Sequence, residues 1–362
     1  TQSRSSAASD VYKRQILSAG HTNPMVYATL AVLSEAMRLK YQQTGDARYK
    51  LDPKHTVFPE DLLTLRRRGG LPGHAEMAGK TIFLKFNTGP SGHGMPAAAG
   101  EALALKMAGA GQVRVFAFEG EGGLTPGATH ETQNSAWGMG LSNLYFLVDW
   151  NDFGIDARRI SEVVYGSPDD WFRGHGWRTV GAEDGNDWPD VTRALLAMVE
   201  GPNPEGVPSA AWFKTKKGRG YGVYDFKSHG VPHKMNCEEY WESKRGFCEK
   251  YGVTLTNFGV CIPPALEKEQ RAQAQANIAE VLSVLHKDQA LVDYLAGRLV
   301  ELGDSVPETI EGFRLGGPNP AKDPRLTDYR QYPADLFVAP GTKEANRVAL
   351  RKWGAYVNAL SH

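Results

Sequence analysis

The sequence predicts an α/β protein of three layers, a mostly parallel sheet between two layers of helices. Three observations predict it. Short apolar runs of strand length alternate with stretches of helical periodicity, the pattern of a parallel sheet covered on both faces. The glycine- and histidine-rich motifs all fall in loops at the ends of those runs, where such sheets bind ligands. With 41% apolar residues over 362 positions, the chain is also long enough for a sizeable core.

The elements follow in order. Residues 1–15, TQSRSSAASDVYKRQ, are polar and lack the apolar segment of a secretory signal, so they read as a non-native or disordered tail. Pattern begins at Ile16. Asn23 and Pro24 open a helix in which Tyr27, Leu30, Ala31, Leu33 and Met37 recur at helical spacing. Pro59-Glu60-Asp61 starts a short helix ending at Arg66-Arg67-Arg68, basic residues that suit a helix carboxyl end. Ala97–Met107 is a small-residue helix able to pack closely on a sheet or on a partner subunit. Val113–Phe118 and Leu144–Val148 are strands flanking a helical segment; Trp177–Val180 and Ala210–Lys214 are two more, with the helix Pro189–Val199 between them. Ala210–Lys214 runs into the glycine-broken KKGRGYG. From Glu238 the composition changes: Glu267–Leu302 reads as one long charged helix, Gly303–Gly341 as an extended linker, and Lys343–Leu360 as a last amphipathic helix. The expected division is a tail (1–15), a ligand-binding domain (16–237), a helical extension with linker (238–342) and the opening helix of a further, truncated domain (343–362).

Charge and cysteine content narrow the function. Forty-one basic and forty-one acidic residues leave a formal net charge of zero, which gives no electrostatic case for nucleic acid or an anionic membrane. No apolar run approaches the roughly 18 residues of a membrane helix. Cys237, Cys248 and Cys261 have neither metal-site spacing nor the pattern of a disulfide framework, which fits a cytoplasmic location.

The segment 113–156 carries the chemistry. Gly120-Glu121-Gly122 closes one strand and Asn151 follows the next, thirty residues after Glu121. A βαβ unit sets the carboxyl ends of its two strands side by side, so a carboxylate and an amide oxygen converge. Glycines beside the carboxylate let a phosphate approach bare backbone N–H groups at a helix start. Carboxylate, amide and phosphate oxygens together suit a hard divalent cation such as magnesium. A lone Gly-x-Gly is common, and its bland reading is an ordinary loop; the spacing to Asn151 is what raises it above that.

At these residues the chain resembles thiamine diphosphate enzymes, and the transketolase family most closely. The family pattern is Gly-Asp-Gly followed about thirty residues later by asparagine; here glutamate replaces aspartate. The resemblance implies a thiamine diphosphate-binding fold in which Glu121 and Asn151 are side-chain metal ligands for Mg2+ (or Ca2+), Phe153 gives its carbonyl, and Gly120 and Gly122 lie at the diphosphate. Four further loops are similar to the family's in the same order. Leu17-Ser18-Ala19-Gly20-His21 implies that His21 touches the diphosphate. Leu71-Pro72-Gly73-His74-Ala75-Glu76 implies that His74 reaches the substrate beside the reacting carbon. Thr88-Gly89-Pro90-Ser91-Gly92-His93-Gly94 implies a backbone cradle from Gly89, Pro90 and Ser91 for the aminopyrimidine side. Ser228-His229-Gly230-Val231-Pro232 implies that His229 contacts both the diphosphate and the reaction centre. Imidazole suits these tasks because it donates to phosphate or moves a proton near neutral pH. His55, His93, His130, His175, His233 and His286 read as structural.

The departures are specific. The family's Ser-Gly-His-Pro-Gly segment should precede Ile16, where the polar tail stands. Pro126 occupies the place of a glutamate that links the family's two cofactor sites, with Thr125 expected as N-cap and Pro126 at the first helical position. The glutamate that activates the aminopyrimidine lies in the family's second domain. The resemblance thus implies transfer of a two-carbon ketol unit between sugar phosphates, with a homodimer or partner subunit supplying the pyrimidine-binding domain. Two alternatives stay open. Gly220-Tyr221-Gly222 and Lys234-Met235-Asn236 also fit the homodimeric pyruvate dehydrogenase decarboxylating component, and a non-catalytic diphosphate-binding remnant is a different class of reading. A nucleotide-binding α/β protein fits less well, since no Walker lysine follows the glycine turn.

Overall fold

In the computed structural model, five strands among the described residues form one sheet: β1 (Lys13–Leu17), β2 (Arg114–Gly120), β3 (Leu144–Trp150), β4 (Arg178–Ala182) and β5 (Ser209–Lys214). They lie in the order β1-β2-β3-β5-β4 and every neighbouring pair is parallel. The structure describes residues 13–81, 84–87, 89–230, 232–304, 309–314 and 322–360, apart from the side chains of Lys13, Arg14 and His21. The tail at 1–12, Thr88, Val231 and the side chain of His21 therefore lie outside the described residues.

Helices flank the sheet on both faces, some packed on the strands and others on neighbouring helices. They are α1 (Asn23–Thr44), α2 (Gly94–Met107), α3 (Gly127–Gly138), α4 (Pro168–Arg173), α5 (Trp188–Glu200), α6 (Glu238–Tyr251), α7 (Glu267–Lys287) and α8 (Gln289–Asp304). Alternate strand residues point to opposite faces. Accordingly Phe116, Tyr145, Leu147 and Ala211 pack with Met198, Leu195 and Val199 of α5. Phe146, between Tyr145 and Leu147, faces Phe172 of α4 with ring centroids 5.7 Å apart. Full burial of a phenylalanine or methionine such as Phe146 or Met198 contributes about 1.5–3 kcal/mol. Asn143 ties α2 to β2, its Nδ2 donating to the carbonyls of Ala102 and Val113 at 3.0 and 3.3 Å.

Four strands stand where the apolar runs placed them, with ends shifted by two residues or fewer. Four expectations are corrected. First, β1 takes in Lys13–Gln15, which the composition assigned to the tail; it is an edge strand on β2, and an edge tolerates polar residues that a central strand would not. Second, the single helix expected over Glu267–Leu302 is two helices. Asp288 leaves helical geometry (φ −106°, ψ 81°), and its carboxylate accepts the Leu291 N–H at 2.9 Å, starting α8 anew. Third, Thr125 does not cap α3: Pro126 holds the N-cap position, and the Thr125 hydroxyl donates to the Gly122 carbonyl at 3.0 Å. Fourth, the segment expected as a helix from Pro59 is a 3-10 turn, Pro59–Thr64, and Arg66 lies beyond it with φ +58°.

The chain divides into two compact units, 1–107 with 111–310, and 108–110 with 311–362. The boundary near 310 differs from those expected at 237 and 342. Helices α6, α7 and α8 belong to the first unit, where His286 meets the buried Glu35 of α1 at 2.7 Å and Lys40 meets Asp293 at 2.6 Å. In the second unit lie the helical turn α9 (Pro324–Thr327) and helix α10 (Asn346–Ala359), with Tyr332 in ring contact with Phe337, Trp353 and Tyr356. No helix among the described residues is long and apolar enough to cross a membrane. All three cysteines are free, and the Cys237 sulfur accepts the Tyr240 N–H at the start of α6.

Candidate active site

The register of β2 on β3 sets Gly120 beside Asp149. One residue further along β2, Glu121 begins a 3-10 turn, Glu121–Leu124; two residues further along β3, Asn151 begins the loop to α4. The two ends meet: the Glu121 carboxylate accepts the main-chain N–H of Asn151 at 3.0 Å. Glu121 is only 1% exposed. Burial pushes its carboxyl up to about 7, against the hydrogen bonds from its own N–H and that of Asn151, and Asp149 and Asp152 push it the same way. Three acidic side chains thus share one end of the sheet, and Glu121 is the desolvated one.

The asparagine loop is closely held. Asn151 Nδ2 donates to Asp149 at 2.8 Å, its Oδ1 accepts the Phe153 N–H at 3.1 Å, and Thr215 at the end of β5 donates to the other oxygen of Asp149. Asp152 takes a left-handed conformation (φ +67°), which a short polar side chain tolerates. Its carboxylate receives the Ser161 N–H and hydroxyl, each at 2.9 Å, and Arg159 at 3.2 Å. Arg159 also lies over the Phe153 ring, 5.0 Å from its centroid. The Phe153 side chain is so occupied, while its carbonyl faces Lys217, whose ammonium donates to it at 3.0 Å and to the Gly154 carbonyl as well.

Lys217 is also 3.2 Å from His229 Nδ1. With the ammonium as donor, Nδ1 is the acceptor and the ring proton sits on Nε2, so His229 presents an N–H on its other side. Burial and the Lys217 charge both lower the His229 pKa, which favours this neutral form. Burial lowers the Lys217 pKa too, opposed by Glu121, Asp149 and Asp225. Glu121, Asn151, Phe153, Lys217 and His229 therefore form one connected set.

A second set of contacts gathers the preceding loops. Glu119, 6% exposed, accepts from the Ser18 hydroxyl, from the Gly120 N–H at 3.1 Å and from the Gly92 N–H. A side chain at Gly123 would overlap the Glu119 carboxyl group, so glycine is required there. Gly92 (φ +78°) packs against the Gly123 carbonyl and Pro126. The Gly89–Gly94 loop, the Ser18 loop and the glycine turn thus interlock. His74 lies beside Gly89, its Nδ1 3.6 Å from where a Gly89 Cβ would stand. The His74 loop is tied to α1 by Asn23 donating to the Gly73 carbonyl at 3.2 Å and Tyr27 to the Pro72 carbonyl at 3.0 Å. Pro90 and Ser91 are exposed at the tip of their loop.

Two sequence expectations are refined. The oxygen of Asn151 does not turn toward Glu121 here but closes its own loop on Phe153. The glycine turn leads into a 3-10 turn before α3, so Gly122 stands a turn ahead of that helix. Lys217, Glu119 and Asp149 were not singled out from sequence. The signal for Lys217 was the basic pair in KKGRGYG immediately after a strand. Of the histidines expected to be structural, His55 bonds Asp52, His233 bonds the Tyr221 carbonyl and stacks on its ring, and His286 bonds Glu35. Asn236 is fully buried with φ +63° and bonds Gln273 and the Ile262 carbonyl, a packing role for that residue of the Lys234-Met235-Asn236 motif.

The donor chemistry fits a hard divalent cation shared with a diphosphate. Among the described residues, three acidic side chains face a single ammonium, that of Lys217, so the site can take further positive charge, and one carboxylate, one amide oxygen and one main-chain carbonyl leave further positions for phosphate oxygens. No cluster of three or more His, Cys, Asp or Glu side chains that could hold a metal occurs among the described residues.

Comparison with known proteins places the chain in a family. The family model described as transketolase, thiamine diphosphate binding domain, matches residues 9–254, and the chain belongs to that family. It is 29% identical over 242 residues to the 6-deoxy-6-sulfo-D-fructose transketolase subunit SqwG of Clostridium sp. (strain MSTE9), covering 66% of this chain and 78% of that one. The transketolase of Halalkalibacterium halodurans is 29% identical over 234 residues, 60% of this chain and 31% of that protein. An apulose-4-phosphate transketolase subunit from Actinobacillus succinogenes is 31% identical over 184 residues, 48% of this chain and 63% of that protein. The chain thus spans about a third of one of these relatives and most of another. Among solved structures, a transketolase from Pichia stipitis (TM-score 0.54, 22% identity) and one from Campylobacter jejuni (TM-score 0.54, 19% identity) share the fold over 83% of this chain and 41% of theirs.

Proposed function

We propose that this chain is the diphosphate-binding part of a transketolase-type transferase that moves a two-carbon ketol unit between sugar phosphates. The observation that carries this reading is the meeting of Glu121 and Asn151 at the carboxyl ends of β2 and β3. Glu121, Asn151 and the Phe153 carbonyl would hold magnesium or calcium. Gly120, Gly122, Asn151, His21 and His229 would face the diphosphate, and Gly89, Pro90 and Ser91 the aminopyrimidine side. Thiamine diphosphate, when bound, supplies the carbon nucleophile. His229, proton on Nε2, donates to an oxygen at the reaction centre, and His74 handles the proton at the substrate beside Gly89. A partner subunit supplies the pyrimidine-binding domain; the relatives named as subunits support this.

Calorimetric titration with thiamine diphosphate tests the cofactor site. Binding that requires magnesium and weakens at least tenfold in Glu121→Ala is expected; magnesium-independent binding, or no effect of the substitution, overturns the site. The donor is tested by offering xylulose 5-phosphate with ribose 5-phosphate, and separately pyruvate with a lipoyl acceptor. Pyruvate consumed with no sugar turnover ends the transketolase reading.

A further inference from the structure

Lys217 occupies an unexpected place. Its ammonium sits on the Phe153 carbonyl at 3.0 Å and on the Gly154 carbonyl, beside His229, among the charges of Glu121, Asp149 and Asp225. It is half-buried, whereas its neighbour Lys216 is exposed and lies over the Tyr224 ring, 4.1 Å from the centroid. A divalent ion taking the Phe153 carbonyl at the ~2.0–2.6 Å usual for such ions would share that oxygen with the ammonium. Two cations on one oxygen, in a partly desolvated site, repel strongly. The pair of contacts cannot persist unchanged.

We propose that Lys217 is a placeholder cation: in the metal-free chain its ammonium holds the Phe153–Gly154 loop, and it yields that carbonyl to the divalent ion by turning onto an anionic diphosphate oxygen. This rests on the metal and diphosphate site proposed above and specifies how it loads. Two consequences follow. Metal alone binds weakly, because it must displace a bonded ammonium that then has no new anion. Metal and diphosphate bind with positive coupling, because the diphosphate gives the displaced charge a partner. The placement suits the role. Lys217 lies just past the end of β5, two residues after Thr215, which is bonded to Asp149 and to the Trp150 carbonyl. The root of its side chain is thus fixed to the same strand end as the metal loop, while the side chain itself has four rotatable bonds.

The test is titration of the purified chain with Mn2+, followed by electron paramagnetic resonance, with and without inorganic pyrophosphate. The proteins are wild type, Lys217→Met, Lys217→Arg and Lys216→Met, with circular dichroism confirming the fold. If Lys217→Met does not fold, Lys217→Gln takes its place. The expected result is that Lys217→Met binds Mn2+ alone at least tenfold more tightly than wild type, Lys216→Met stays within about twofold, and Lys217→Arg resembles wild type. The increase in Mn2+ affinity that pyrophosphate produces should shrink in Lys217→Met. Equal Mn2+ affinity in wild type and Lys217→Met, with pyrophosphate still enhancing both alike, overturns the placeholder role and leaves the metal site standing. An equal gain in Lys216→Met reduces the effect to net charge and also overturns it. No Mn2+ binding by any of the proteins, even with pyrophosphate, overturns both the placeholder and the site on which it rests.

Discussion

Neutralising Glu121 should stabilise the metal-free protein, and by an amount that depends on pH. Glu121 is 1% exposed and its carboxyl is raised from 4.5 to about 7, chiefly by burial. Between those values the folded chain keeps this proton while the unfolded chain releases it. The folded state then binds more protons, so stability falls as pH rises. The contribution is fully present below pH 4.5 and is lost as pH rises through about 7. A shift of that size corresponds to about 3 kcal/mol. Glu121→Gln removes the ionisation and keeps the shape. Urea unfolding in the presence of a chelator measures it, read by the fluorescence of the chain's eight tryptophans, among them Trp150 and Trp212, whose rings meet edge to face at 5.4 Å beside the site. The variant and wild type should be similar near pH 4 and diverge to about 3 kcal/mol in favour of the variant at pH 8. Glu119, also raised by burial, is present in both proteins and cancels. Magnesium with thiamine diphosphate should then recover the deficit in wild type and do much less for the variant. A stability difference that stays flat from pH 4.5 to pH 8 would refute the reasoning.

Other perturbations test the scaffold. Gly123→Ala drives a methyl into the Glu119 carboxyl, which is fixed by Ser18 and the Gly120 N–H, and should cost about 3 kcal/mol in chemical denaturation from overpacking and a disturbed buried carboxylate. Ser18→Ala removes one donor to that carboxylate and should cost about 1.5–3 kcal/mol by the same measurement. Phe172→Ala empties a fully buried site against Phe146 and Trp177 and should lower stability by about 3–5 kcal/mol.

The parts of the fold legible in the sequence were those carried by local pattern. Leu144–Val148 and Val113–Phe118 are apolar runs that stop at polar residues, so both the strands and their functional ends could be read. The glycine turn and Asn151 could be paired because parallel strands of one βαβ unit end together. Elements fixed by distant partners were less visible. Lys13–Gln15 have no strand pattern of their own and form an edge by pairing with β2. Glu119 looks like one acid among several until Ser18, 101 residues away, is placed against it. Lys217 lies in a basic, glycine-broken run that reads as a solvated loop, and its role arises when β5 brings it over Phe153. Asp288 interrupts a long helical pattern with a single cap, a local signal outweighed by the periodicity on either side.

Replacing magnesium with manganese and locating the ion by its anomalous scattering, in crystals grown with thiamine diphosphate, puts the whole account to one observation. The ion should lie within bonding distance of the Glu121 carboxylate, the Asn151 side-chain oxygen and the Phe153 carbonyl, with diphosphate oxygens completing its shell. An ordered diphosphate whose ion sits elsewhere, with Glu121 still held by main-chain N–H groups, would contradict it.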